Sequence, residues 1–337
     1  MKLLLIGGTQ FLGRHIVDAA KVAGHEVTLF NRGKTNPSLH QNVKVIQGDR
    51  EVQEDIDQLR EGKWDAVIDT CGYTPQIVAK TLEAVSCRVD HYAFISTVSV
   101  YKDLLNGEGL KETADVLSLT SREIEEVTSG TSGRVDGGYY GPLKYHCEEE
   151  VLRAFREQHT IIRPGLIVGP HDPTDRFTYW PSRIAKGGEV LSPEPKHKVV
   201  QLIDARDLAE WAVHAATERI VGTFNASGPG EEMTMEGFLE SCKKTLNEEA
   251  KLRWVPNTWL AERVQPWLEM PLWIGQETGF GVDSHPAVKH GLNYRPIEET
   301  IRDTYEWDLT RRSMPKKAGL EEEKEKELLK VAPSSDL

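Results

Sequence analysis

Lys2-Leu3-Leu4-Leu5-Ile6-Gly7-Gly8-Thr9-Gln10-Phe11-Leu12-Gly13 opens the chain with an apolar run, a turn of small residues and the start of a helix. The apolar run reads as a buried strand, and Ile16, Val17 and Ala20 beyond the turn recur at helical spacing. Gly24 is placed to close that helix as a C-cap. Small residues between a strand and a helix let the backbone turn tightly and approach a pyrophosphate, whose charge then sits at the helix N-terminus. A glycine-rich turn alone is a weak signal; its place between a strand and a helix gives it weight. Gly7, Thr9, Gln10, Phe11, Leu12 and Gly13 are therefore expected to contact a dinucleotide.

Outward from this turn, short apolar runs alternate with helical stretches. Val27–Phe30, Val43–Ile46, Ala66–Asp69 and Tyr92–Ile95 read as further strands, and Ile161, Ile162 and Leu166–Val168 lie in or beside a sixth. Helices are expected near 52–60, 76–86 and 141–157. The fold class is α/β, a doubly wound parallel sheet in which ligands bind beyond the carboxyl ends of the strands. From about Asp172 the rhythm changes and Trp and Pro accumulate, as in Trp254, Pro256, Trp259, Pro266, Trp267, Pro271 and Trp273. The expected organisation is a dinucleotide-binding domain over 1–170 with returning segments near 198–226, and a smaller C-terminal substrate lobe over 171–310. A charged tail over 311–337 follows, whose Glu321–Glu327 run reads as a solvated helix with frayed ends.

The composition bounds the partners. With 53 acidic against 41 basic residues the net charge is -12, which works against a nucleic-acid surface or an anionic membrane. No apolar run approaches a membrane span and no leader is evident, so the expected location is cytoplasmic. Cys71, Cys87, Cys147 and Cys242 show no metal or redox spacing, so reduced thiols and no bound metal are expected.

At the end of the second strand stands Asn31-Arg32, with Lys34 close behind, where a carboxylate would hold a ribose diol. A neutral amide beside a guanidinium suits a 2′-phosphate better, which favours NADP, with NAD as the alternative. Asp49 after the third strand is placed to accept from an adenine amino group, and Cys71 after the fourth completes the expected cofactor contacts with Lys144.

Two segments carry the chemistry: Ile95-Ser96-Thr97-Val98-Ser99-Val100-Tyr101 and Tyr140-Gly141-Pro142-Leu143-Lys144. Pro142 is tolerated in a first helical turn, so a helix should begin near Gly141, with Tyr140 and Lys144 one turn apart on one face. A phenol with an ordinary pKa of about 10 is a poor base at neutral pH, but an adjacent ammonium favours the phenolate. A hydroxyl from the fifth strand can then hold the reacting oxygen.

These residues, with the Gly7–Gly13 turn, resemble the extended short-chain dehydrogenases, the Rossmann-fold NAD-dependent epimerase/dehydratase family. The resemblance covers roughly residues 1–310, including Arg163-Pro164-Gly165 and Asp204-Ala205-Arg206-Asp207. It implies Thr97, Tyr140 and Lys144 as the catalytic triad, with Glu148 at the family's glutamate. It also implies departures: Gln10 replaces a glycine of the turn, and Leu166 and Val200 stand where sugar-nucleotide enzymes keep phosphate contacts. Ser99, Arg176 and Trp180, with Arg183 nearby, are the expected substrate contacts in their place, Trp180 reading equally as packing.

The leading expectation is an NADP-dependent oxidoreductase or epimerase acting on a carbonyl or hydroxyl of a small, sugar-like substrate; a homodimer is compatible with it. The Gly-Gly-Thr-x-Phe opening and the Asn31-Arg32-Gly33 turn also resemble a chloroplast stem-loop RNA-binding branch of the superfamily, the alternative from another class. A third reading is a non-catalytic sensor of the nicotinamide redox state.

Overall fold

The structure, a computed structural model, describes residues 1–105, 109–131, 133–275, 281–311 and 314–333. The first strands are β1 (Lys2–Ile6), β2 (Glu26–Asn31), β3 (Lys44–Gln47), β4 (Trp64–Asp69), β5 (Val89–Ile95) and β6 (His159–Pro164). They are followed by β7 (Leu166–Val168), β8 (Glu189–Pro193), β9 (Leu202–Asp204), β10 (Gly222–Ala226) and β11 (Lys251–Val255). The helices begin with α1 (Leu12–Val22), α2 (Gln53–Asp57), α3 (Pro75–Val85), α4 (Ser121–Thr128), α5 (Tyr140–Ala154) and α6 (Tyr179–Ala185). They continue with α7 (Ala205–Thr217), α8 (Met235–Leu246), α9 (Asn257–Ala261), α10 (His285–Lys289), α11 (Ile297–Leu309) and α12 (Glu322–Val331).

The chain divides into two units. Unit 1 comprises Met1–Gly165, Ala205–Ser227 and Val282–Asn293. It holds a parallel seven-stranded sheet in the order β10-β6-β5-β4-β1-β2-β3. The order reverses between β1 and β4, which is where such sheets open a crevice for ligands. The apolar runs that read as strands are buried because both faces are covered: α1 and α7 pack together, as do α3 and α5. Leu4, Ile6, Val67, Phe94, Val78, Cys147 and Val151 form one buried layer. Each such fully buried aliphatic side chain contributes about 1.5–3 kcal/mol.

Unit 2 comprises Leu166–Asp204, Gly228–Gly281 and Tyr294–Leu337. Two short parallel pairs, β8 with β11 and β7 with β9, frame a core of Phe177, Trp180, Phe238, Leu239, Trp254 and Trp273.

This division differs from the sequence expectation in three ways. Val282–Asn293 returns to unit 1, because Asp283 donates its N–H to the Leu110 carbonyl (2.9 Å) and its carbonyl accepts from Asn225 (3.2 Å). The stretch 198–204 belongs to unit 2, where Leu202 pairs with Leu166 in the β7–β9 ladder. The charged tail is a helix with one side buried: Glu325 is 2% exposed and pairs with Arg183. A carboxylate with a guanidinium waiting for it need not stay in water. Residues 334–337 of that stretch lie outside the described residues.

Candidate active site

The turn after β1 is built so that side chains are excluded where backbones meet. Gly7 adopts φ +111°, and a Cβ there would lie 2.4 Å from Thr70 Oγ1; a Cβ on Gly13 would lie 2.9 Å from the Gly8 nitrogen. Glycine is thus required at both, for conformation at the first and for close helix–turn approach at the second. Gln10, the departure from the family spacing, is exposed, and the left-handed conformation falls on Phe11 instead (φ 38°, ψ −116°). A non-glycine residue held there stores backbone strain, a feature that clusters at ligand sites.

Three successive carbonyls of the turn are tied from outside it. Asn31 Nδ2 donates to the Gly7 carbonyl (2.9 Å), His40 Nε2 lies 3.0 Å from the Gly8 carbonyl, and Asn36 Nδ2 donates to the Thr9 carbonyl (2.9 Å). Asn36 and His40 escaped the sequence reading because they lie in a polar loop with no periodicity to single them out. Asn31 also accepts from the Gly33 N–H (2.9 Å), so it shapes the bend that carries Arg32. Arg32 is more than half exposed, and its guanidinium stands 3.9 Å from the Asp49 carboxylate.

Beneath the turn after β4 lies a buried ion pair. Arg50 donates to both oxygens of Asp69 (3.0 Å each) and to Thr81 (3.1 Å), while Asp69 accepts from the Tyr92 hydroxyl (2.9 Å) and the Cys71 N–H (3.0 Å). Burial pushes the Asp69 carboxyl up, but Arg50 more than offsets this and holds it below the usual range. Cys71 Sγ lies 3.6 Å from the Ile6 carbonyl, beside the glycine turn, and its thiol is pushed up by burial.

At the end of β5, Thr97 caps the short turn Val98–Val100: its Oγ1 accepts from the Ser99 N–H (3.1 Å) and donates to Ser99 Oγ (3.2 Å). A Cβ on Gly141 would lie 1.9 Å from the Ser99 carbonyl, so only glycine lets α5 start against this turn. That approach brings Tyr140, the first residue of α5, beside Thr97, whose hydroxyl is among the groups that favour the Tyr140 phenolate. Burial pushes the half-buried phenol of Tyr140 up, while Arg134 and the Thr97 hydroxyl pull it down, burial prevailing.

One turn on, Lys144 is 2% exposed. Its Nζ donates to the carbonyls of Gly72 (2.6 Å) and Ile95 (2.7 Å) and lies over the Phe94 ring, 4.0 Å from its centre. Burial lowers its pKa, with Asp69 and Glu148 among the groups that oppose the fall. Behind it Glu148 accepts from Ser96 (2.5 Å) and from both Nε (3.0 Å) and Nη2 (2.6 Å) of Arg163. Tyr73 and Arg134, which the sequence reading passed over, belong to the same group: the Tyr73 ring centre is 5.6 Å from Lys144 Nζ, and the Arg134 guanidinium lies 4.1 Å from the centre of the Tyr140 ring.

Unit 2 carries the remaining expected contacts. Trp180 is fully buried in that unit's core with its indole nitrogen donating to the Pro271 carbonyl (2.8 Å), so it is a packing residue and not a substrate contact. Arg183 is likewise committed, to Glu325 and to the Gly187 carbonyl (2.9 Å), which removes it as an anion anchor. Arg176 is half-buried, its guanidinium 5.2 Å from the centre of the Trp267 ring. Among the described residues no group of three or more His, Cys, Asp or Glu could hold a metal, and no helix is long and apolar enough to cross a membrane.

Residues 3–227 match the NAD dependent epimerase/dehydratase family. The chain is similar to the chloroplast stem-loop binding protein of 41 kDa b from Arabidopsis thaliana, 24% identical over 72% of this chain and 62% of that protein. It therefore spans less than two thirds of that relative's length. Its fold is similar to UDP-glucuronic acid 4-epimerase from Bacillus cereus, solved with NAD (TM-score 0.67, 15% identity, 92% of this chain and 99% of that one). It is similar in the same way to UDP-glucose 4-epimerase from Thermotoga maritima, solved with UDP-glucose (TM-score 0.66, 17% identity, 92% and 99%). At such identities the likeness is one of fold.

Proposed function

Since the chain belongs to the NAD dependent epimerase/dehydratase family, we propose that it is a cytoplasmic oxidoreductase or epimerase that uses NADP and acts on a carbonyl or hydroxyl of a small, sugar-like molecule. The observation that carries this reading is the start of α5 packed against the turn after Thr97, which sets Tyr140 beside Thr97, with Lys144 one turn along α5 and fixed by two carbonyls.

The turn at Gly7, Gly8 and Gly13 fits a dinucleotide, because it leaves no room for a Cβ at Gly7 or Gly13. The nicotinamide, when bound, supplies the acceptor and donor of hydride. Gly7, Thr9, Gln10, Phe11, Leu12 and Gly13 would hold its phosphates, Asn31 and Arg32 the adenosine ribose with its 2′-phosphate, Asp49 the adenine, and Cys71 and Lys144 the far end. Thr97 orients the substrate oxygen, with Ser99 beside it. Tyr140 takes or returns the proton at its phenolic oxygen.

Native mass spectrometry of protein purified without added ligand tests the reading first, since retained cofactor and retained product are read together. Tyr140→Phe should then cut turnover at least about 100-fold, the usual share of a proton-transferring group, with cofactor affinity kept within a few-fold. Lys144→Ala should damage both. Arg32→Ala should erase most of a preference for NADPH worth about 1.5–3 kcal/mol and leave NADH binding nearly unchanged. Near-normal turnover in Tyr140→Phe would defeat the mechanism.

The similarity to the Arabidopsis stem-loop binding protein favours RNA binding as a second reading. The net charge of -12 counts against it. Salt-sensitive retention on RNA would support it, and no retention at low salt would retire it.

A further inference from the structure

Besides Lys144 on α5, a second cation lies against Tyr140. Lys144 gives two ammonium protons to the Gly72 and Ile95 carbonyls (2.6 and 2.7 Å), and its charge rests against Phe94. Arg134, in the loop ahead of the helix, lays its guanidinium over the Tyr140 ring, 4.1 Å from the ring centre. Asp136 steadies it, accepting from Arg134 Nε at 2.7 Å. Between Asp136 and Tyr140 the loop turns at Gly137 (φ +77°), where the conformation favours glycine.

We infer that Arg134 is a positioning residue for Tyr140: its guanidinium, docked on the ring face, orients the phenol toward Thr97 and adds to the positive charge that favours the phenolate. This rests on the reading of Tyr140 as the proton carrier. A cation over an aromatic face is attracted by the ring, and the attraction grows when the ring carries negative charge. The other groups facing the phenol are few. Thr97 faces it from the end of β5 and Tyr73 from the turn after β4; Cys147 and Lys144 lie along α5, and Asp136 on the loop is the opposing charge. Burial pushes the phenol up, Arg134 pulls it down and Asp136 pushes it up. Arg134 and Asp136 should therefore act with opposite sign. The Arg134 side chain is about half exposed (53%), so its field is partly screened and its effect moderate.

The test needs no substrate. Tyrosinate absorbance is titrated in the protein and in Tyr140→Phe, and the difference isolates Tyr140 among the nine tyrosines. The same pair is measured in the Arg134→Gln, Arg134→Lys and Asp136→Asn backgrounds. At a fixed pH below the midpoint, Arg134→Gln should lower the ionised fraction of Tyr140 about 3- to 10-fold. Arg134→Lys should restore most of it, and Asp136→Asn should raise the fraction. High salt should shrink the first effect. An unmoved titration in Arg134→Gln, or shifts of the same sign in Arg134→Gln and Asp136→Asn, would overturn the inference. Failure of the enzymatic reading looks different: Tyr140→Phe keeps its turnover, whatever the titration shows.

Discussion

Each unit buries arginine–carboxylate pairs, and one pair from each shows how differently they are used. In unit 1, Arg50 grips Asp69, whose carboxylate also fixes the Cys71 N–H, and the next carbonyl, that of Gly72, receives Lys144. In unit 2, Arg183 grips Glu325, whose other oxygen accepts the Leu191 N–H (3.0 Å), so the pair fastens α12 beside β8. Removing two charges from water costs several kcal/mol per ion, and the pairing returns that cost only when the geometry is good. A hydrophobic replacement could stabilise either unit as well. What the ion pair adds is direction: in one unit it aims a turn at a candidate catalytic lysine, and in the other it sets where a charged helix sits.

The contrast is open to direct attack. The largest effect is expected from Asp69→Ala, which strands the Arg50 guanidinium. Loss of one partner of a buried pair costs about 3–5 kcal/mol, read as a lowered denaturant midpoint, and turnover should fall with it as Lys144 loses its fixed turn. A loss below about 1 kcal/mol would mean that Thr81 and water satisfy Arg50 well enough alone. Glu325→Ala should cost less, about 2–3 kcal/mol, because Arg183 keeps carbonyl acceptors at Gly187 and Glu189. Its hydrogen exchange should rise in α6, β8 and α12, with cofactor affinity unchanged. Weakened cofactor binding would show that the two pairs do not divide the work as described.

The smallest effect separates the units by pH. Burial pushes the Asp172 carboxyl in unit 2 up to about 6, so between about pH 4 and 6 the folded chain keeps a proton there that the unfolded chain has released. Stability should therefore fall as pH rises through that window, by on the order of 2 kcal/mol, and Asp172→Asn should flatten the slope. In unit 1 the buried His91 is lowered to about 4 by burial, so the folded chain binds fewer protons than the unfolded one up to pH about 6.5. Its contribution has the opposite sign and grows as pH rises. Exchange protection followed peptide by peptide across this range should diverge between the units; parallel slopes would refute the assignment.

Legibility in the sequence also divides along these lines. β1, β2, β4 and β5 were readable because parallel strands covered on both faces leave unbroken apolar runs. β10 was not, since Gly222-Thr223-Phe224-Asn225-Ala226 holds its place through pairing with β6 and shows no apolar run. The spacing of Tyr140 and Lys144 placed both on one helix, yet a four-residue interval cannot show that Arg134 lies on the phenol ring. The same limit applies to Arg50, which no motif singles out and whose partner lies 19 positions away at Asp69. Periodicity reports which face is buried. Partners across a fold leave no such trace, and the Trp180 and Arg183 corrections have that origin.

The ties on Gly7, Gly8 and Thr9 have a consequence for binding entropy. Fixing one residue's backbone costs about 1–2 kcal/mol. Asn31, His40 and Asn36 impose that ordering during folding, because they hold the carbonyls of the turn. A ligand arriving at the turn meets a backbone with little freedom left to lose, and is spared an ordering cost of about 3–6 kcal/mol summed over the three residues. Some of the chain's folding stability is in this way converted into affinity for whatever the turn receives.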